Sequence, residues 1–182
     1  MKSIVTILLT FALIGCNNAE PEKIILSENY RGKVIIIHNQ PDGVNIEENS
    51  RKILRIPENG ILKVQSAINE GWQDQVVYIE DKNRNTIKVP IYSFTGLTSQ
   101  IEEGLIDTNK VALYGGSVGT STYYEDGLEC EIDWTHYIFG TYREVISTDK
   151  RGEIKLKNIL IQKGVTVTCL NKKQWPSKNK LN

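Results

Sequence analysis

The tightest constraint in this sequence is a strict alternation. In Leu128-Glu129-Cys130-Glu131-Ile132-Asp133-Trp134 every second residue is acidic and every other one is apolar. Successive side chains of a strand point to opposite faces, so this segment has one apolar and one carboxylate face as a strand and neither as a helix. Val165-Thr166-Val167-Thr168-Cys169 repeats the pattern, with Cys169 on the valine face. Lys33-Val34-Ile35-Ile36-Ile37-His38 is a short β-branched run, stopped by the turn-forming Asn39-Gln40-Pro41-Asp42-Gly43. Arg51 to Ile56 runs through Pro57-Glu58-Asn59-Gly60 into Ile61 to Ile68, the outline of a hairpin. Val76 to Glu80, the turn Asp81 to Asn85 and Thr86 to Ile91 predict a second hairpin. Pro90 has no N–H to give a ladder, so the second strand of that hairpin should be an edge or end there. Lys110 to Tyr114, Leu128 to Phe139, Thr141 to Ser147, Glu153 to Ile161 and Val165 to Leu170 read as further strands, and only Thr98 to Ile106 as a helix. Strands with turn signals every eight to twelve residues predict an all-β fold, one antiparallel sandwich-like or partly open barrel domain over residues 24–171. Residues 93–109 offer a subdomain boundary, but one domain is the simpler reading.

The N-terminus carries different information. Lys2 precedes an uncharged, mostly apolar run from Ile4 to Ile14. That is the length of a signal-peptide hydrophobic region and too short to span a bilayer core of ~30 Å. Leu13-Ile14-Gly15-Cys16 resembles the lipobox of bacterial lipoproteins. The resemblance implies that the cysteine is diacylated, residues 1–15 are removed and the new N-terminus is acylated. Residues 16–23, Cys16-Asn17-Asn18-Ala19-Glu20-Pro21-Glu22-Lys23, then form a lipidated polar tether. Acyl chains on Cys16 make the membrane a partner, since several chains together hold a protein stably where one does so only marginally. The expected location is the cell envelope. Asn17 is not the aspartate that favours inner-membrane retention in enteric bacteria, which tilts the expectation toward the outer membrane.

Charge narrows the partners further. The chain has 22 basic and 22 acidic residues, a balance that gives no reason to expect nucleic acid as a partner. Ile101 to Asp133 nonetheless holds eight acids and one base, and Trp134 to Asn182 ten bases and three acids. Mutual neutralisation in the fold is the simpler account. The alternative gives the basic tail 172–182, with Lys172, Lys173, Lys178 and Lys180, to anionic headgroups.

Assigning Cys16 to lipid leaves Cys130 and Cys169, both on apolar faces of their segments. In an exported protein they are disulfide candidates; the competing reading is two separate buried thiols.

Catalytic motifs are weak. Gly115-Gly116-Ser117-Val118-Gly119 matches G-x-S-x-G, followed by Asp126 or Asp133 and then His136 in hydrolase order. A nucleophile elbow needs a strand followed by a helix, and the residues after Ser117 are not helical in pattern. Asp81-x-Asn83-x-Asn85 begins like a calcium loop, but Thr86 and Tyr92 stand where glycine and glutamate are required. Two histidines and no C-x-x-C give no zinc set. No metal and no cofactor is expected, and His38 and His136 read as ordinary strand residues. Trp72, Trp134, Tyr123, Tyr124 and Tyr137 could line a surface, although strand aromatics are more often core.

Tyr30-Arg31-Gly32-Lys33-Val34, Asn39-Gln40-Pro41-Asp42-Gly43, Ile56-Pro57-Glu58-Asn59-Gly60-Ile61-Leu62 and a late Phe139-Gly140-Thr141 resemble a family of small, functionally uncharacterised bacterial lipoproteins and secreted proteins. Its pattern is YRG-x-V, NQP-x-G and IPENGIL. The resemblance implies no activity. Physically these motifs are turn chemistry beside strands. The expectation is therefore a membrane-anchored, non-enzymatic envelope domain that binds a protein or glycan. The alternatives are an envelope hydrolase using Ser117 or the acidic cluster 125–133 (Glu125, Asp126, Glu129, Glu131, Asp133), or an envelope immunity or accessory protein.

Overall fold

The structure, a computed structural model, describes residues 22–48, 51–68, 74–125, 128–149, 155–169 and 173–174. The fold is all-β in character, with two packed sheets and three short helices among the described residues. The signal segment, Cys16, Trp72, Asp126 and most of the basic tail lie outside the described residues.

The first sheet is built on β1 (Glu22–Ser27), which lies parallel to both β4 (Arg51–Arg55) and β6 (Gln75–Glu80). β3 (Glu47–Glu48) and β7 (Thr86–Val89) complete it, in the order β3-β4-β1-β6-β7. β1 takes in Glu22 and Lys23, the last two residues of the expected tether. The second sheet contains β2 (Gly32–Ile37), β5 (Ile61–Lys63), β8 (Ile91–Tyr92), β9 (Ala112–Glu125) and β10 (Leu128–Gly140), in the order β5-β2-β10-β9-β8. β11 (Lys173–Gln174) pairs with β10 near its start. The alternating segment that opened the sequence reading lies in β10, paired along its length with β9.

Both sheets are mixed rather than purely antiparallel, and the first expected hairpin is not one. β4 stays with β1 in the first sheet, whereas β5 pairs parallel with β2 in the second. Pro57 to Gly60 carries the chain between the layers, with Gly60 N bonding Pro57 O at 2.9 Å and Ile35 N bonding Gly60 O at 2.9 Å. The second hairpin forms as expected, with Asp81 Oδ1 accepting from Asn83 N and Asn85 N at 2.8 Å each. Pro90 ends β7 at the sheet edge, and the next two residues enter the other sheet as β8.

Two segments read as strands are helices: α2 (Tyr142–Asp149) and α3 (Leu156–Lys163). α2 starts with a capping box, in which Glu144 Oε2 accepts from Thr141 N at 2.7 Å and from Thr141 Oγ1 at 2.9 Å. α3 buries Leu156 and Leu160, one helical turn apart, and ends at Gly164 in the left-handed conformation (φ 63°). Val165 to Cys169, also expected as a strand, forms no ladder. α1 (Leu97–Glu102) overlaps the first part of the expected helix, starting one residue before it and ending at Glu102 rather than Ile106.

The helices explain why β2 is buried on both faces. Val34 and Ile36 face the first sheet, in a core with Ile24, Leu26, Leu54, Val77, Tyr137 and Phe139. Ile35 and Ile37 face outward and pack with Cys130, Ile132, Leu156 and Leu160. A third cluster joins Leu97, Ile106, Tyr114, Ile138 and Val145 beneath α1 and α2. The two-sided burial matches a continuous apolar run.

Candidate functional site

Two clefts meet at one end of the sandwich and share Asn29, Tyr30 and Glu58. The end is organised by Tyr30, whose hydroxyl donates to Lys33 O and is kept protonated by burial, which pushes its pKa up to about 12. Gly60 (φ +81°) packs directly against that hydroxyl, where a Cβ would collide with it and with Lys33 O. The YRG and PENG motifs thus form one mutually supporting unit. Arg31 closes it by donating to Glu28 O at 3.0 Å and Tyr30 O at 2.6 Å.

The smaller cleft, about 500 Å³, lies beside the ends of β1, β4 and β6. Arg55 Nη1 donates there to both carboxylate oxygens of Glu80, at 3.1 Å to Oε1 and 2.9 Å to Oε2. The larger, about 620 Å³, opens between Arg31, Lys33, Glu58 and Asn59 on one side and Ser147, Gln162 and Lys163 of α2 and α3 on the other. Its rim carries three cations and one carboxylate.

The NQPDG motif works at another place. Gln40, 1% exposed, accepts from Thr168 N at 2.8 Å and donates to Thr168 O at 3.3 Å. Lys63 bonds Thr166 O at 3.1 Å and also pairs with Asp42. These contacts hold residues 165–169 against the outer face, and Cys169 reaches Cys130 at disulfide distance, with Cα atoms 5.6 Å apart.

The structure does not assemble the hydrolase constellation. Ser117 lies exposed inside β9, with no strand-to-helix elbow. The preceding glycines (φ 112° and 100°) accommodate a register shift opposite His136 and Tyr137, which supplies the reason for their identity. Ser117 and His136 are register partners, but His136 is 4% exposed and its Nε2 has no hydrogen-bond partner. Asp133 projects from the opposite face of β10, where it accepts from Thr120 Oγ1 at 2.8 Å and Asn39 Nδ2 at 3.5 Å. Glu129 and Glu131 share that face with Asp133.

The sequence reading missed a hydroxyl–imidazole pair, His38 Nε2 with Thr135 Oγ1 at 2.9 Å. Both residues are under a tenth exposed, which leaves no approach for a substrate, and burial pushes His38 down to about 4. It also missed Lys33, Asn59 and Lys163 as neighbours, since they come from three separate segments. Of the aromatics, Tyr137 is core and bonds Gln75 across the sheets at 2.8 Å, Trp134 donates to Ser121 Oγ at 2.9 Å, and Tyr124 is exposed. Among the described residues no group of three or more His, Cys, Asp or Glu is placed to hold a metal, and no helix is long and apolar enough to cross a membrane.

Among solved structures, the chain is similar to one named "Putative Lipoprotein from Bacillus anthracis", at 15% identity and a TM-score of 0.48 over 80% of this chain and 91% of that one. No match was found among curated proteins. Residues 18–163, most of the chain and nearly all of the two-sheet domain, match a family of unknown function, and the protein belongs to that family, DUF6843.

Proposed function

We propose that this protein is a bacterial lipoprotein, anchored to a membrane through acyl chains on Cys16, whose β-domain binds an envelope partner and performs no catalysis. One observation carries the anchor. The charged start, short apolar run and Leu13-Ile14-Gly15-Cys16 stand six residues before Glu22, where β1 begins. Six residues reach about 20 Å when extended, so the domain stays close to the headgroups. The Cys130–Cys169 approach supports an oxidising compartment, where such a pair forms a bond. Asn17 favours the outer membrane where a cell has two.

The binding half of the reading rests on the motif-built end of the sandwich, where exposed loops on a rigid frame surround two clefts. Its partner is expected to be a protein or glycan segment. Fractionation of cells carrying Cys16→Ala tests the anchor: the variant moves from the membrane to the soluble fraction, and retention in the membrane overturns it. Ester and glycoside panels with wild type and Ser117→Ala test the other half, which turnover dependent on Ser117 would sink.

A further inference from the structure

We propose that the larger cleft at the Tyr30 end binds a phosphate group, carried by a lipid headgroup or by a soluble phosphorylated molecule. The inference rests on the reading of the domain as a binding module and is independent of acylation at Cys16.

Charge is the first argument. Arg31, Lys33 and Lys163 face the cleft against Glu58. Among the described residues neither Lys33 nor Lys163 has an ion-pair partner. Arg31 is committed elsewhere, to two backbone carbonyls and, at 4.0 Å, to Glu144. Lys33 is out of keeping with its strand, since it alternates with Ile35 and Ile37, both fully buried on the outer face. It lines the cleft together with Ser147 and Thr148 of α2 and Gln162 and Lys163 of α3. Its charge adds to burial in pushing nearby His136 down to about 4.

Hydrogen-bond capacity is the second. Asn59 Oδ1 is taken by Ile61 N at 3.0 Å, which leaves its amide hydrogens as the open end. The Ser147 and Thr148 hydroxyls already donate to Glu144 O at 2.7 and 2.8 Å, so they have only lone pairs to offer. The open donors include the two ammonium groups and the Asn59 amide, which come from β2, α3 and the Pro57–Gly60 connection, and the amides of Asn29 and Gln162 line the same cleft. Donors on both sides of the cleft suit the tetrahedral oxygens of a phosphate, whereas the acceptor sites of a carboxylate lie in one plane. Lysine is a suitable phosphate ligand because it acts as a point charge with rotatable donors.

The test measures how fast each lysine reacts with an amine-acylating reagent, by mass spectrometry. The whole protein is purified in zwitterionic nanodiscs, or from the soluble fraction if Cys16 carries no lipid, so failure of the anchor leaves the test intact. Inorganic phosphate should protect Lys33 and Lys163 but not exposed Lys88. Anionic phosphatidylglycerol discs or vesicles, without added phosphate, form the second arm. Protection there assigns a headgroup, and protection only by soluble phosphate assigns a soluble ligand. Asn59→Asp keeps the acceptor for Ile61 N while removing the amide donors, and should weaken phosphate binding by about tenfold or more. Lys33 and Lys163 protected no more than Lys88 in both arms, or full protection in Asn59→Asp, overturns the proposal.

Discussion

Gln40 grips the backbone of Thr168 through both ends of its side-chain amide, Oε1 taking the N–H and Nε2 giving to the C=O. The amide thereby does for residues 165–169 what a neighbouring strand does for an ordinary ladder. Gln40→Leu leaves a backbone donor and acceptor in a part-buried setting without partners. The expected cost is about 2 kcal/mol, from the penalty of unmade hydrogen bonds. Urea unfolding measures it, and hydrogen exchange localises it: the Thr168 amide should lose protection while β2 and β10 keep theirs. Unchanged exchange at Thr168 would show that the clasp is not holding the segment.

The same segment ends at Cys169, and a bond to Cys130 would close a loop with a sequence separation of 39. In the chain-entropy account such a loop is worth about 4 kcal/mol, through restriction of the unfolded chain. Protein isolated without reductant should lack free thiol at both positions and gain two alkyl groups after reduction. Reduction should lower the unfolding midpoint and release residues 165–169 from protection. Two free thiols in protein from an oxidising compartment would return the pair to the reading as separate buried hydrophobes.

How far the sequence could be read depends on whether a segment's signal is local. The β6–β7 hairpin was legible because the Asp81 carboxylate organises its own turn, and Pro90 because a missing N–H has one consequence wherever it falls. α2 was mistaken for a strand because Val145, Ile146 and Thr148 have β-propensity, yet Thr141-x-x-Glu144 is a capping box readable without coordinates. α3 had its signals too, in Leu156 and Leu160 four apart and Gly164 beyond Lys163. The parallel partners of β1 and β2 were beyond reach, since nothing in Ile24 or Ile61 names a strand that arrives from another part of the chain. The same holds for the cleft. Lys33 and Lys163 are 130 residues apart in sequence, and only the fold makes them neighbours.

Gly60 and Tyr30 are coupled by contact, and a substitution cycle can read the coupling. Gly60→Ala adds a methyl group where the Tyr30 hydroxyl sits, at a backbone φ of +81° that L residues rarely adopt. A loss of about 3 kcal/mol is expected, combining backbone strain with displacement of a buried hydrogen bond. Tyr30→Phe alone should cost about 1 kcal/mol by removing the bond to Lys33 O. The double variant should be more stable than the sum of the two losses predicts, because the phenyl ring vacates space for the new methyl. Additive losses would mean that strain at Gly60, and not its contact with Tyr30, sets the requirement for glycine.

The two histidines make stability depend on pH in a stated direction. Burial pushes both down to about 4; Asp133 acts against burial at His38, and Lys33 reinforces it at His136. In the unfolded chain each titrates near about 6.5. Between about 6.5 and about 4 the unfolded chain therefore binds protons that the folded chain refuses. The stabilisation from keeping them neutral is fully present above about pH 6.5 and is lost as pH falls through that window, by up to about 3 kcal/mol for each histidine. Denaturant titrations at pH 7, 6, 5 and 4.5 should show the decline. His136→Leu removes a group whose Nε2 has no partner, so its share of the slope should vanish at little cost at pH 7. Replacement of His38 should cost more at neutral pH, because Thr135 Oγ1 loses its partner at 2.9 Å. A stability curve that stays flat from pH 7 to 4.5, or one whose slope is the same with and without His136, would place the protons elsewhere.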